Sequence, residues 1–275
     1  MPTKVTLQHN ESYSNKGRGI DGGGFDLDGG VTHSVMQYNY SHDNNGAGYL
    51  LAQFGGRPMH HLTIRFNISE NDGRRNSYAG IQIWDGLAQN GKASDGLHDC
   101  EIYNNTIFTS PSPEGKPRAL YISTPSRNIH LRNNLFVTTN GLPLLDIAEG
   151  QEGLLMQGNA YWGSGSEAPF VWAGKVFPQF TDWQAFSRQE MLDGKSVGIG
   201  ADPQLNNAGQ GRVHGNPDRL TELSAYRLRG GSPLQDKGLD LKSLFGIDTG
   251  SHDFYGGAIN KQRGVQSIGA HNLKR

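Results

Sequence analysis

The chain has 275 residues, with 25 basic and 26 acidic side chains and a formal charge of −1. That balance gives no electrostatic footprint for nucleic acid and no polybasic run for a membrane surface. A single cysteine, Cys100, excludes an internal disulfide framework and reads as a buried, inert thiol in a strand-like run.

The 39 glycines form no low-complexity tract, which fits many turns in a regular architecture better than disorder. A strand pattern begins almost at once, at "KVTLQHN", with no signal peptide before it. The expectation is a piece of a longer protein, with earlier repeats missing.

From there one motif recurs. "VTLQHN" ends at Asn10, "SVMQYN" at Asn39, "LTIRFN" at Asn67, "CEIYNN" at Asn105, "IHLRNN" at Asn134 and "LLMQGN" at Asn159. Three residues before each asparagine stand Leu7, Met36, Ile64, Ile102, Leu131 and Met156, all apolar. Two before stand Gln8, Gln37, Arg65, Tyr103, Arg132 and Gln157, all polar or amphipathic. Alternation within each copy and apolar columns between copies predict stacked strands, one face in and one out. An asparagine at each corner can satisfy backbone groups that the bend would strand, so these six read as structural.

A second strand follows in each repeat: "GFDLD", "GYLLA", "GIQIW", "ALYIS" and "PLLDI". Its inward columns are Phe25, Tyr49, Ile81, Leu120, Leu144, and Leu27, Leu51, Ile83, Ile122. Asp146 falls next in the second column. Either the register shifts there, or an inward carboxylate ends the regular stack.

These columns, over residues 4 to about 165, resemble the right-handed parallel β-helix proteins of the pectate-lyase-like superfamily. The segments "ADPQL", "YRLRGGSPLQDKG" and "RGVQSIGAH" are similar to the end of many bacterial β-helix proteins. The resemblance implies an all-β solenoid over 1–165 and an irregular tail over 166–275, packed on the last coils. It also implies a secreted or periplasmic bacterial protein acting as a monomer on a polysaccharide or oligosaccharide. "TDWQAFSRQEML" reads as the one short helix, capped by Thr181 or Asp182.

"GGGFDLDGG" carries the main chemical signal. With Phe25 and Leu27 inward, Asp26 and Asp28 point outward on one face, roughly 6.6 Å apart along the strand. That is the short end of the carboxyl separation of inverting glycosidases, roughly 6.5–9.5 Å. Trp84 shares the column of Asp28 and offers an apolar platform for a sugar ring. Asp85 follows at the mouth of an insertion, "WDGLAQNGKASDG", expected to wall a groove with "TSPSPEGKPR". The competing reading makes Asp26 and Asp28 turn residues that bond their own backbone.

A second cluster stacks Tyr13, His42 and Glu70, with Asp43 beside them; it can serve as acid and base or as a solvated turn. Arg74 and Arg75 can clamp an acidic sugar or stand as loop charges. The candidate catalytic set is Asp26, Asp28, Asp43, Glu70 and Asp85, with Asp28 as acid and Asp26 as base. His42, Trp84, Arg74, Arg75 and Tyr78 are the candidate substrate contacts. No metal site is expected: Asp26, Asp28 and Asp43 suit calcium but lack an EF-hand spacing, and the pair His60–His61 has no third ligand at a local spacing.

The expected activity is glycoside hydrolysis by paired carboxylates. The alternatives are a polysaccharide lyase on a uronate polymer, with calcium or arginine neutralising the substrate, and a non-catalytic carbohydrate-binding surface module.

Overall fold

The structure is a computed structural model and describes residues 3–17, 19–86, 88–89, 92–93, 96–259 and 266–273. Among these, the chain visits three parallel sheets in rotation. One sheet holds Thr6–Gln8, Val35–Gln37, Thr63–Arg65, Leu97–Tyr103, Arg127–Arg132 and Leu155–Gln157. A second holds Glu11–Tyr13, Tyr40–His42, Ile68–Glu70, Thr106–Thr109, Leu135–Thr139 and Ala160–Ser164. The third holds Phe25–Asp28, Tyr49–Gln53, Ala79–Asp85, Arg118–Ile122, Leu145–Ile147 and Phe170–Trp172.

The apolar columns lie where alternation puts them. Leu7 pairs with Met36, Met36 with Ile64, Ile64 with Ile102, Ile102 with Leu131 and Leu131 with Met156. With Leu27, Leu51, Ile83 and Ile122 from the third sheet and Ile107, Phe136 and Tyr161 from the second, they form one core. Cys100 belongs to it; burial pushes its thiol up to about 12, so it is inert.

Between the first and second sheets the strand bends at one residue. His9, Tyr38, Phe66, Asn104 and Asn133 take left-handed φ there, and Gly158 does so in the last round. The asparagine that follows repairs the bend. Asn67 donates its backbone N–H and its side-chain amide to the Asn105 oxygen at 3.0 and 3.1 Å. Its amide also reaches the Met36 carbonyl at 2.9 Å. The ladder ends on an acid. Asn159 donates its side-chain amide to Glu190 at 2.7 Å, and the Tyr161 hydroxyl donates to the same oxygen at 2.7 Å.

A second ladder stands at the exit of the second sheet. Asn15 donates its N–H to Asn44, and Asn44 donates both N–H and amide to Asp72. The recurrence of "SYSN", "SHDN" and "SEND", each five residues past the first ladder, is its sequence signature.

At Asp146 the register shifts by one residue. Leu145 pairs with Leu120 and Ile147 with Ile122, which leaves Asp146 outward beside Tyr121, bonded to Arg118 at 3.0 Å. Leu144 joins the core as the residue before the strand. The expected helix spans Phe180–Ser187, earlier than the sequence suggests, and neither Thr181 nor Asp182 is its cap: Gln179 is, without a side-chain bond. It is not the single helix expected, since a second, Leu241–Phe245, follows in the tail, capped by the Asp240 side chain.

The C-terminal tail reaches well beyond the last rounds. Leu205, Leu220, Tyr226 and Phe254 pack on Tyr40, Ile68, Phe108 and Leu135, the outward residues of the second sheet. The tail extends to the first round, where His214 and Gly215 donate backbone N–H groups to Glu11. No helix among the described residues is long and apolar enough to cross a membrane.

Candidate functional site

The outward face of the third sheet is free of that cover, and a cleft of about 520 Å³ opens on it. Two outward columns form its floor. Asp26 pairs with Leu50, Leu50 with Gln82 and Gln82 with Tyr121; Asp28 pairs with Ala52 and Ala52 with Trp84. Phe25 and Leu27 pack toward the core, which turns the two aspartates outward.

The glycines of "GGGFDLDGG" bring backbones together. A Cβ on Gly24 would lie 2.1 Å from the Ser41 Oγ and 2.8 Å from the Gly48 carbonyl oxygen. Gly24 N–H donates to the Ala47 carbonyl at 2.8 Å, which fixes the entry of the aspartate strand on its neighbour.

Ile20, Asp21, Tyr78 and Thr124 complete its lining. The Ile20–Asp21 segment is braced: Asn76 donates to both carbonyls, at 2.8 and 3.0 Å, and Arg75 donates to the Gly17 carbonyl. The expected wall from the insertion after Trp84 lies largely outside the described residues, and no side chain of 87–95 is described.

Three carboxylates face this cleft, and among the described residues no lysine or arginine lines it. Asp26 is accessible from the cleft, but the walls strip much of its hydration. That desolvation, then the charges of Asp28 and Asp21, raise it to about 6. Asp28 is also raised, first by desolvation and then by Asp21. Burial and the neighbouring carboxylates, rather than hydrogen bonds, account for both shifts. A carboxyl titrating near 6 can hold a proton at near-neutral pH and release it in a reaction, while a second, ionised carboxylate accepts one. Trp84 and Tyr78 line the same cleft and supply aromatic surface to it.

The other candidates are placed elsewhere. Tyr13, His42 and Glu70 do stack on successive rounds, yet on the sheet that the tail covers. His42 is buried between Tyr13 and Tyr40 and bridges Glu11 at 3.2 Å and Asp43 at 3.0 Å. Glu70 is buried, accepting from the Tyr40 hydroxyl at 2.7 Å and the Gly211 N–H. Glu70 thus ties the tail to the sheet directly, and His42 holds Glu11, which accepts from the tail at His214 and Gly215.

Asp43, Arg74 and Arg75 line a separate depression of about 390 Å³. Arg74 there donates to the Ser110 and Pro111 carbonyls at 2.7 Å each, holding the 109–118 loop. Asp85 is buried and accepts the Leu97 N–H, which closes the insertion on itself. The cleft therefore gathers Asp26, Asp28, Trp84 and Tyr78 from the expected set, and adds Asp21, Gln82 and Tyr121. Gln82 and Tyr121 were readable, since they stand in the column of Asp26; Asp21 arrives from a loop with no periodic signal.

Asp26, Asp28 and Asp43 do not converge as a cation site. Among the described residues, one group of three His, Cys, Asp or Glu side chains brings its ligand atoms within 4.8 Å of one another: His33, His60 and His61. Compared with known proteins, the sequence matches no family model and no curated protein.

Proposed function

We propose that the chain is a right-handed parallel β-helix whose third-sheet cleft binds a carbohydrate and hydrolyses a glycosidic bond by inversion. One observation carries the reading. Two outward carboxylates, one raised to about 6, share an aromatic-walled cleft with Trp84 in the column of Asp28. Stacked sugar rings want such faces, and acid–base hydrolysis wants such a pair.

The roles follow from the electrostatics, in the reverse of the order read from the sequence. Asp26, the more strongly raised, protonates the leaving oxygen, and Asp28 activates water. The described lining carries carboxylates and aromatic rings and no cationic side chain, which supports a neutral glycan over a uronate.

The test is a screen of plant, algal and bacterial polysaccharides, reading reducing ends and ultraviolet absorbance together. The reading expects reducing ends without an unsaturated product, and loss of turnover in Asp26→Asn. An ultraviolet-absorbing product makes the protein a lyase. Binding of a glycan without turnover, retained in the variant, makes it a binding module.

A further inference from the structure

The His33–His60–His61 group lies outside the cleft, since none of the three lines it. The sequence hides it because its third member comes from the preceding round. His33 and His61 occupy one corner column, both in left-handed φ, at +52° and +56°. Their rings stack at 4.8 Å with an interplanar angle of 6°. His60 ends the short strand Met59–His60, and its carbonyl accepts the His33 N–H at 3.1 Å. The backbone thus sets the three imidazoles before any ligand arrives, with His33 and His61 exposed and His60 half-buried.

The nitrogens are poised to share a positive centre. His60 Nδ1 and His61 Nδ1 face each other at 2.7 Å, a gap that holds one proton and not two. His98 stacks on His60 at 5.1 Å and is held through its Nδ1 by Asp99 at 2.7 Å. Asp99 therefore places a negative charge beside the cluster while its own oxygens are engaged by His98 and Asn128.

We propose that His33, His60 and His61 form a binding site for one divalent ion of the zinc class, with its remaining position open to solvent. Three imidazoles suit zinc, copper or nickel and not calcium or magnesium, which take oxygen ligands. Tetrahedral zinc at about 2.0–2.1 Å from each nitrogen needs them about 3.3 Å apart. The ligand nitrogens already lie within 4.8 Å of one another; on binding, the 2.7 Å pair opens and the His33 and His61 rings turn out of parallel so that their lone pairs converge. The metal takes the place of the shared proton.

The experiment titrates Zn2+ calorimetrically into tag-free, chelator-stripped protein and follows Co2+ by its visible d–d absorption. His33→Asn and His61→Asn are the variants. Asparagine keeps the corner, because Asn128 holds left-handed φ of +50° in the same column. The expected result is one Zn2+ per chain, weakened by about tenfold or more in each variant. Ca2+ is not bound at the site, and Asp28→Asn retains the wild-type Zn2+ affinity. Metal-free melting temperatures should agree between wild type and the asparagine variants, showing that the fold is kept. Absence of Zn2+ heat and of a Co2+ band, or unchanged affinity in both histidine variants, overturns the proposal.

Discussion

The side-chain amide of Asn159 donates to the carboxylate of Glu190 at 2.7 Å, so an acid from outside the repeat completes the asparagine ladder. Glu190 is fully buried, and burial pushes it from 4.5 to about 7 against the bonds from Asn159 and Tyr161 that hold it down. A folded-state value above the unfolded one gives stability that is full below 4.5 and lost as pH rises through 7. The melting temperature of the wild type should therefore fall over that window relative to Glu190→Gln, which cannot ionise. Parallel profiles for the two proteins would contradict this assignment.

Asn67 sits in the middle of the ladder and is fully buried. Alanine there removes the acceptor for the Asn39 N–H and amide and the donor to Met36 and Asn105. Unpaired buried groups cost about 1–3 kcal/mol each. Urea denaturation of Asn67→Ala should show a loss of about 3 kcal/mol or more, with the chemistry of any bound ligand unchanged.

Gly24→Ala tests the packing behind the aspartate strand. The new methyl meets the Ser41 hydroxyl, which can rotate, and the Gly48 carbonyl, which cannot without moving the backbone. The expected loss is about 1–3 kcal/mol. Adding Ser41→Ala should recover only part of it, as read from denaturation midpoints. Full recovery would show that the backbone approach does not matter.

The strands and their faces were legible because alternation repeats in columns, so each copy confirms the next. Phe25 and Leu27 inward already meant Asp26 and Asp28 outward. The shift at Asp146 was not decidable, since Leu144 and Leu145 serve either register by hydrophobicity alone. The covering of His42 and Glu70 was hidden for a different reason. Gly211, the partner of Glu70, and His214 and Gly215, the partners of the Glu11 that His42 holds, lie in an aperiodic tail some 140 to 200 residues away. Asp85 misled because a carboxylate beside Trp84 looks solvent-bound, whereas strand alternation turns it into the protein to hold Leu97.

The cleft account is tested most directly by the pH dependence of reducing-end release on a responding glycan, in wild type, Asp26→Asn and Asp28→Asn. With Asp26 as the acid, the wild-type rate should decline as pH rises through about 6 in the free enzyme, the value to which its surroundings raise it. Asp26→Asn and Asp28→Asn should each lose turnover by a factor of about 100 or more, with melting temperatures nearly unchanged. Turnover at the wild-type rate in Asp26→Asn, with the same descending limb, would contradict the account.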